Sequence, residues 1–561
     1  MANRQVGREK FYVEIIKPSH YDEEGYVIQW RWAFVPSNSL ACLNALAQDV
    51  GQRRALGEDL DLVISTYDET YTVIPVRKIA RRICAAGGRG LIILAGVQTN
   101  QFARATDLAR QFRDEGVSVA IGGFHVSGCL AMLAEMPEEL RVLQELGVTL
   151  FAGEAEGHME QLLADALAGR LQPIYNHLKE LPDLQGQVTP FLPRQHAMRT
   201  MFYAPFDAGR GCPFECSFCT IINVQGRKSR WRSADDVEQL IRANVAQGVR
   251  RFFITDDNLA RNKNWEAIFD RLITLGERDG IRIKFTMQVD MMCHKIPGFI
   301  DKACRAGCTR VFLGLESINP ENLAAARKRQ NQVHEYRAML QAWRARHVVT
   351  YAGYILGFPA DTPESIRRDI ATIQRELPID ILEFFVLTPL PGSADHKAMH
   401  ERGQWMDPDL NRYDVERVTM HHARMSTREW TDIYRQAWRL YYSPEHVETL
   451  LRRAAAGGAG MSHLTAAIMV YYGSYRFEKV HPLQAGLVRR KVRASRRPGS
   501  PPDNPLLYYV RRAWEIVSTT LGLGAYWIWL ELLRKRIQND PLAAAYSDEA
   551  LSSEEHAAEA A

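Results

Sequence analysis

The sequence predicts an α/β protein with a doubly wound N-terminal domain, a second α/β unit of six βα repeats, and a helical C-terminal region. Short apolar runs alternate with amphipathic segments twice along the chain, over residues 10–154 and again over 250–387. Apolar strands separated by helices indicate parallel sheets that are covered on both faces. A cysteine-rich loop, residues 209–219, precedes the second series. The alternation stops near Gly392, where longer amphipathic helices begin.

Composition narrows the class of protein. The chain has 561 residues, too many for one core, with 46% hydrophobic and 24% charged residues, as in ordinary globular proteins. Its net charge of +4 is too small to indicate a nucleic-acid partner. Nine cysteines, an odd and low number, favour a reducing compartment, and the first ten residues lack the apolar stretch of a signal peptide. We therefore expect a cytoplasmic protein.

Residues 1–185 are predicted to form a flavodoxin-like doubly wound domain. Five apolar runs read as buried strands: 10–18, 61–66, 90–96, 117–123 and 148–154. In such sheets ligands bind outside the carboxyl ends of the strands. Two of those ends are rich in glycine, which lets the backbone approach a large ligand closely. The candidate binding residues there are Gly122, Gly123, His125, Ser127, Gly153 and Glu154.

The loop GRGCPFECSFC places Cys212, Cys216 and Cys219 in a C-x3-C-x2-C array. Thiolates this close together hold one small object. Structural zinc takes four protein ligands, and no second cysteine pair is present as it is in zinc ribbons. An iron–sulfur cluster fits better, because soft thiolates suit iron and clusters use short spacings. Three ligands on a 4Fe–4S cluster leave one iron open to another molecule.

Residues 186–400 are predicted to form the second α/β unit. Its strands are expected just before Gly209 and then at 250–256, 283–289, 310–316, 349–357 and 381–387. Polar or glycine residues follow these strands. Capping patterns at Ser233 and Thr362 predict the starts of two of the intervening helices.

The cysteine array ends in an aromatic residue followed directly by the last cysteine, Phe218–Cys219. In this it resembles the radical S-adenosylmethionine (SAM) superfamily. The G-G-x-H and G-E-x-E-G loops of the first domain resemble the cobalamin-binding domain of the cobalamin-dependent (class B) members. The resemblance implies a partial TIM-like (β/α)6 barrel over 186–400. It also implies three cofactors, namely a 4Fe–4S cluster, SAM and cobalamin, and an electron donor such as flavodoxin or ferredoxin.

The resemblance also implies site residues. The cluster ligands are Cys212, Cys216 and Cys219. The SAM contacts are Asp256, Asp257, Gln288, Glu316, Ser317 and Gly357. The family's usual Gly-Gly-Glu is replaced by Thr-Asp-Asp-Asn, so either aspartate could accept from the SAM amino group. The first domain lacks D-x-H-x-x-G, so we expect cobalamin without a histidine on cobalt and His125 as a supporting contact. No catalytic residue is identified.

The implied reaction is methylation of an unactivated carbon, by way of a 5′-deoxyadenosyl radical, in a small-molecule or lipid- or tetrapyrrole-like substrate. Two alternatives stay open. Cobalamin could serve an oxidation without methyl transfer, as in the oxidative cyclase of chlorophyll biosynthesis. The protein could also be a cluster- or corrinoid-based sensor without turnover, although no output module is recognisable.

The C-terminal region is predicted to be a helical cap over 401–487, followed over 488–561 by a basic linker, an apolar helix and a disordered tail from Tyr546. The uncharged core of the apolar helix, Ile516 to Leu530, is shorter than the roughly 20 residues of a membrane span. An interfacial helix in peripheral contact with a membrane, or a helix docked on the cap, fits this length.

Overall fold

The computed structural model describes residues 8–457, 460–501 and 503–552. We number its strands and helices in chain order. The strands are β1 Glu9–Lys17, β2 Gln29–Ala33, β3 Leu60–Asp68, β4 Gly90–Leu94, β5 Ser118–Gly122, β6 Thr149–Ala152, β7 Ile174–Asn176, β8 Tyr203–Phe206, β9 Gly209–Arg210, β10 Arg230–Trp231, β11 Arg251–Ile254, β12 Lys284–Val289, β13 Cys308–Glu316, β14 Val349–Leu356, β15 Ile381–Val386 and β16 Gly486–Arg490.

The α-helices are α1 Asn38–Gln52, α2 Val76–Ala85, α3 Thr99–Asp114, α4 Phe124–Met132, α5 Glu138–Glu145, α6 Met159–Leu167, α7 Arg194–Ala197, α8 Ile221–Val224, α9 Ala234–Ala246, α10 Trp265–Arg278, α11 Phe299–Ala306, α12 Pro320–Ala325, α13 Tyr336–Arg344, α14 Pro363–Glu376, α15 Ala394–Glu401, α16 Thr427–Tyr441, α17 Pro444–Ala456, α18 Met461–Gly473 and α19 Pro505–Gln538.

The first sheet is parallel throughout, in the order β3-β1-β4-β5-β6-β7. Helices α1 and α6 pack on one face, and α2 to α5 pack on the other. All five strands predicted for this region are present. The edge strand β7 was not predicted, because its three residues are too few to give a periodic signal.

The second sheet is also parallel, in the order β15-β14-β13-β12-β11-β8. Its core is continuous with the cap helices α16 to α18. Helices α9 and α14 begin at the predicted N-caps, where the hydroxyls of Ser233 and Thr362 each accept a backbone hydrogen bond three residues on. The predicted α/β class, with parallel sheets and a helical C-terminal region, is confirmed.

The segment predicted as a basic linker is held in place instead. Strand β16 pairs with β2 in an antiparallel sheet, so the chain returns to the first domain. Arg489 then pairs with Asp22 at 2.8 Å, and Arg497 pairs with Asp409 at 2.8 Å. The basic residues are ordered because acidic partners far away in sequence meet them.

The start of the predicted disordered tail is also anchored. Asp548 pairs with the buried Arg453 at 2.7 Å, and Ala550 is fully buried with its carbonyl accepting from Gln341. The remainder of that prediction, 553–561, lies outside the described residues. Helix α19 is 34 residues long, about twice the predicted apolar segment.

Candidate active site

The three cysteines lie in the loop between β9 and α8. Gly211, at φ +84°, lets the loop turn, since a side chain there would meet the carbonyl of Lys228 at 2.5 Å. The Cys212 amide donates to the carbonyl of Gly226 at 3.2 Å, and the Cys219 amide donates to the carbonyl of Cys216 at 3.2 Å. The loop therefore closes on itself with three free thiols.

The donor set fits an iron–sulfur cluster. Burial raises the pKa of all three thiols, that of Cys219 to about 12. In the absence of a metal they would stay protonated at neutral pH, whereas bound iron holds thiols as thiolates. Only weak polar contacts reach these sulfurs, such as the amide of Gln330 at 3.5 Å from Cys216 Sγ. The thiols are thus available as ligands.

The two neighbouring aspartates after β11 have different surroundings. Asp256 is buried, and its carboxylate accepts from the Ala208 amide at 2.6 Å and from Asn262 at 3.1 Å. Asp257 makes no side-chain hydrogen bond within the described residues, and its charge reaches Cys212 and Cys219. Asp256 is buried and Asp257 is exposed, yet desolvation by the surrounding protein raises the pKa of each carboxyl to about 7.

Glu316 and Gln288 lie on one side of the second sheet. Side chains of β12 and β13 alternate between buried and half-buried, and both residues belong to the half-buried series. Glu316 has φ +60°, a costly conformation for a residue other than glycine. Its carboxylate forms an ion pair with Lys328, whose charge also reaches Cys216. Glu316 is therefore held facing the cluster loop.

Ser317 and Gly357, two of the predicted SAM contacts, both make contacts within the protein. The Ser317 hydroxyl accepts from the Asn319 amide at 3.0 Å, in the turn before α12. Gly357 has φ +108°, and a side chain there would overlap the ring of Trp430 from the cap. The Trp430 indole donates to the Leu356 carbonyl at 3.2 Å. The glycine therefore permits close packing of cap on strand.

The half-buried side of the second sheet has an apolar centre. The rings of Phe312 and Phe385 meet over Gly353, where a Cβ would lie 3.1 and 3.0 Å from them. The opposite side of the sheet packs into the core with the surrounding helices. Polar groups at the strand ends thus stand above an aromatic surface, a suitable arrangement for an apolar substrate.

A cavity of about 160 Å³ lies at the carboxyl edge of the first sheet. Five of the predicted residues line it: Gly122, Gly123, Ser127, Gly153 and Glu154. Its remaining wall is largely apolar, from α1, α6 and the strand ends. Glycine backbone and apolar side chains beside a few polar groups suit a large organic cofactor.

His125 does not line this cavity. Position 125 lies in the first turn of α4, and the phase of that helix directs the ring to the other side. There it packs against Phe102 with ring centroids 4.2 Å apart, and its Nδ1 lies 3.3 Å from the Thr99 hydroxyl. The ring is fully buried.

A buried charge cluster joins the cavity to the cysteine loop. Arg210, two residues before Cys212, pairs with Glu154 at 2.7 Å, Glu156 at 2.6 Å and Asp207 at 2.9 Å. Burial alone would raise the pKa of Asp207, but Arg210 and Arg232 outweigh it and hold that pKa at about 2. Asp207 therefore stays charged, and Arg210 joins the two loops through its ion pairs.

Sequence reasoning missed this cluster. Arg210 lies within the cysteine-rich motif, residues 209–219. The spacing of that motif gives no sign that Arg210 pairs with Glu156, 54 residues earlier in the chain. The two glutamates of G-E-x-E-G were the available signal, since buried acidic pairs need a cation. Arg230 completes the arrangement by contacting Glu154 at 3.0 Å. Glu154 thus borders the cavity, but its carboxylate forms ion pairs with Arg210 and Arg230.

Comparison with known proteins agrees with this architecture. The model of the radical SAM superfamily matches residues 208–373. Bacteriochlorophyllide d C-12(1)-methyltransferase of Chlorobaculum tepidum is 28% identical over 309 residues, which are 54% of this chain and 63% of that enzyme. Hopanoid C-2 methylase of Rhodopseudomonas palustris is 22% identical, covering 62% of this chain and 63% of that enzyme. The chain thus spans less than two thirds of either relative.

Solved structures show the same fold. The methyltransferase TsrM from Kitasatospora setae, with cobalamin and a 4Fe–4S cluster bound, gives a TM-score of 0.60 at 14% identity, covering 81% of this chain and 97% of that one. The radical enzyme OxsB with aqua-cobalamin gives 0.55 at 13% identity, covering 98% and 82%. Residues 208–373 therefore match the radical SAM superfamily, and the chain is similar to cobalamin-dependent radical SAM enzymes in both sequence and fold.

Proposed function

We propose that this protein methylates an unactivated carbon, with a 4Fe–4S cluster at Cys212, Cys216 and Cys219, SAM, and cobalamin in the first-domain cavity. One observation carries the proposal. The cavity is walled partly by Arg210, Val224 and Gln225, which flank the cysteine loop on both sides. A cofactor in the cavity and a cluster in the loop would therefore share one reaction space.

When bound, the cluster and SAM supply a hydrogen-abstracting radical, and cobalamin supplies a methyl group. The chain positions these groups and keeps water away. We assign Asp257, Gln288 and Glu316 to SAM. Asp257 is preferred to Asp256 because its carboxylate remains free to accept from the SAM amino group.

The other predicted residues take supporting roles in this proposal. Asp256, Ser317 and Gly357 shape the strand ends on which SAM would rest. Gly122, Gly123, Ser127 and Gly153 face cobalamin, Glu154 holds Arg210 beside it, and His125 lies behind α4. We further propose that the six-stranded sheet is the partial barrel of the family. A soluble electron donor such as flavodoxin or ferredoxin would reduce the cluster.

The substrate class follows from the aromatic surface over Gly353. Phe312 and Phe385 offer flat apolar contact below the polar strand ends, which suits a largely hydrocarbon or tetrapyrrole-like molecule. The names of the two curated relatives specify a bacteriochlorophyllide and a hopanoid, both of this kind. We propose a substrate with an extended apolar body.

The test uses reconstituted protein, SAM labelled in its methyl group, and candidate substrates of that class. Methylation predicts S-adenosylhomocysteine and 5′-deoxyadenosine in equal amounts, with label in the product. An unlabelled, oxidised product with 5′-deoxyadenosine alone would assign the oxidative reaction instead. Protein that carries all three cofactors and a reductant, yet cleaves no SAM with any substrate, would favour a sensor.

We also propose that α19 rests on a membrane surface. It is the one helix of the described residues that is long and apolar enough to cross a bilayer, and only 17% of its most apolar window is buried. Seven of its exposed apolar residues follow one stripe at spacings of three, four and seven residues, namely Leu506, Val510, Trp514, Val517, Leu521, Ile528 and Leu532, and Leu507, Tyr509, Ile516 and Trp527 are exposed as well. The stripe extends about 39 Å at 1.5 Å per residue.

The opposite face of α19 is fixed to the protein. Near its start the Tyr508 hydroxyl donates to the Lys491 carbonyl at 2.8 Å. Near its end Leu530 and Ile537 are fully buried, in the core shared with α17 and α18. Crossing a bilayer would strip away these contacts, so we propose that the helix lies in the plane of the interface.

Charge favours lipid as the occupant of this stripe. Arg493, Arg511 and Lys535 form no ion pair within the described ranges, and each is exposed. Basic side chains near anionic headgroups contribute about 1 kcal/mol each. Trp514 and Trp527, both exposed, are of the type that settles at the interface.

Flotation with vesicles of neutral and anionic phospholipid tests this assignment. The triple variant Val510→Asp, Leu521→Asp, Ile528→Asp should lose most of its lipid-bound fraction. Leu181→Asp with Leu440→Asp, at exposed apolar positions elsewhere, serves as the matched control. The stripe would instead be assigned to a second copy of the chain if the wild type does not float with vesicles and is dimeric by light scattering, while the triple variant is monomeric.

A further inference from the structure

A compact set of metal-ligating side chains lies on the side of α4 away from the cobalamin cavity. His125 and Cys129 are one helical turn apart on α4, and Glu139 belongs to α5. His125 Nε2 lies 3.7 Å from Glu139 Oε1 and 4.0 Å from Cys129 Sγ, and all three ligand atoms fall within 4.8 Å of one another. Tetrahedral zinc places such atoms about 3.4–3.6 Å apart, so the two distances from His125 exceed that spacing by about half an ångström or less.

The imidazole is already oriented for a metal. Its Nδ1 lies 3.3 Å from the Thr99 hydroxyl, and its ring packs on Phe102, which leaves Nε2 directed at the other two groups. A hydrogen bond at one ring nitrogen that fixes the other toward the metal is usual for ligating histidine.

The set lacks the partners that an ordinary buried polar cluster would have. Glu139, whose side chain is 34% exposed, makes no ion pair with a lysine or arginine within the described residues. A thiol, an imidazole and a carboxyl group thus converge in a place where His125 and Cys129 are almost fully buried. A divalent cation would satisfy all three.

We propose that His125, Cys129 and Glu139 bind one zinc ion, with water as the fourth ligand on the side where the Glu139 side chain is 34% exposed. Sulfur, nitrogen and oxygen donors together suit borderline-soft zinc, whereas magnesium and calcium prefer oxygen alone. The inference does not depend on the proposed reaction. It concerns the fold of the first domain and names no reacting group.

The position of α4 gives the ion its role. Phe124 and Ser127 on the same helix line the cobalamin cavity. At Gly128 a side chain would overlap the carbonyl of Pro391, so the helix rests directly on the second unit. Zinc that fastens α4 to α5 would therefore hold both the cavity wall and the junction between the two units.

The test measures zinc and iron together, by mass spectrometry of full-length protein carrying its iron–sulfur cluster, after exposure to Zn²⁺ and gel filtration. We expect one zinc per chain in the wild type. Cys129→Ser and Glu139→Gln should each reduce the zinc content about tenfold or more, with iron unchanged. Cys84→Ser, at an exposed cysteine, should keep both metals.

Two results would overturn the proposal. One is protein with full iron that retains no zinc. The other is zinc that persists in Cys129→Ser but disappears in His158→Ala, because His158, His177 and Glu180 form a second, more exposed group of potential ligands. Retained iron shows that a variant is folded, so loss of zinc alone reports the site. A zinc chelator should lower the melting temperature of the wild type and leave that of Cys129→Ser unchanged.

Discussion

Different chemical groups line the carboxyl edges of the two parallel sheets. In the first sheet the cavity edge is glycine backbone and apolar wall, and the buried Arg210 cluster beside it joins loops rather than binding a ligand. In the second sheet the edge carries three free thiols, the carboxyl of Asp257, which is unpaired within the described residues, and Glu316 in an ion pair with Lys328. A cofactor held through shape tolerates the loss of a side chain, whereas one held through covalent or ionic bonds does not.

The largest contrast is therefore expected between single substitutions at the two edges. Cys216→Ala should abolish the cluster, because three thiolates are the fewest that hold it. Ser127→Ala, which removes a hydroxyl that accepts from the Gly153 amide at 3.1 Å, should change cobalamin affinity less than about tenfold. Iron content and cobalamin titration measure the two effects. If Cys216→Ala keeps an intact cluster, the two edges do not differ in their tolerance of a lost side chain.

Breaking the joint between the edges should give the next largest effect. Arg210→Met would leave three buried carboxylates without their shared cation, at a cost of about 3–5 kcal/mol in unfolding free energy. Arg53→Met, which removes an exposed pair with Glu160, should cost far less. Denaturant unfolding measures the loss of unfolding free energy in both variants. Equal losses would show that the Arg210 cluster does not stabilise the junction between the two edges.

A smaller effect should separate the neighbouring aspartates. Asp257→Asn should weaken SAM binding about 10- to 100-fold, because it removes a charged acceptor worth about 1.5–3 kcal/mol. Asp256→Asn should lower stability and leave SAM affinity nearly unchanged, since its carboxylate serves the backbone of Ala208. Calorimetric titration with SAM decides between them. The reverse pattern would exchange their roles.

The smallest effect concerns a glutamate buried in a strand of each sheet. Glu14 in β1 has Arg82 as a partner, but neither oxygen of Glu383 in β15 has one, and burial raises the pKa of Glu383 to about 8. Its carboxyl stays protonated in the fold after the unfolded chain has lost the proton, so it lowers stability progressively as pH rises from about 4.5 to 8.

Glu383→Gln should accordingly raise the melting temperature at pH 8 by a few degrees, corresponding to about 1–2 kcal/mol, and change it little at pH 5. Glu14→Gln, which deprives Arg82 of its partner, should show no such gain at pH 8. Thermal unfolding at both pH values is the measurement. A gain for Glu383→Gln that is equal at pH 5 would rule out the carboxyl as its cause.

The sequence alone predicts the strands well, because both sheets are buried on two faces and their strands are short continuous apolar runs. It predicts that Cys212, Cys216 and Cys219 lie together in one loop, because their spacing is local. It does not distinguish Asp256 from Asp257, since that depends on which carboxylate meets the Ala208 amide. It misplaces His125 relative to the cavity, because the first turn of α4 rather than the direction of β5 sets where the ring points.

Contacts between distant parts of the chain were beyond sequence reasoning for a different reason. The Arg210 cluster, the pairing of β2 with β16, and the contact of Gly357 with Trp430 each join segments with no shared periodicity. Each residue alone has an ordinary surface or turn interpretation. Only the fold brings together the partners that give it a specific role.

The pairing of β2 with β16 sets the order in which the molecule can be completed during synthesis. Ala33 lies opposite Gly486, so β2 has no partner in this pairing until the ribosome has made both α/β units and the cap. Contacts of such long sequence separation form late and slowly. The first domain must therefore wait, with one strand unpaired, for almost the whole chain, and a nascent chain stalled before residue 486 should be open to proteases at β2.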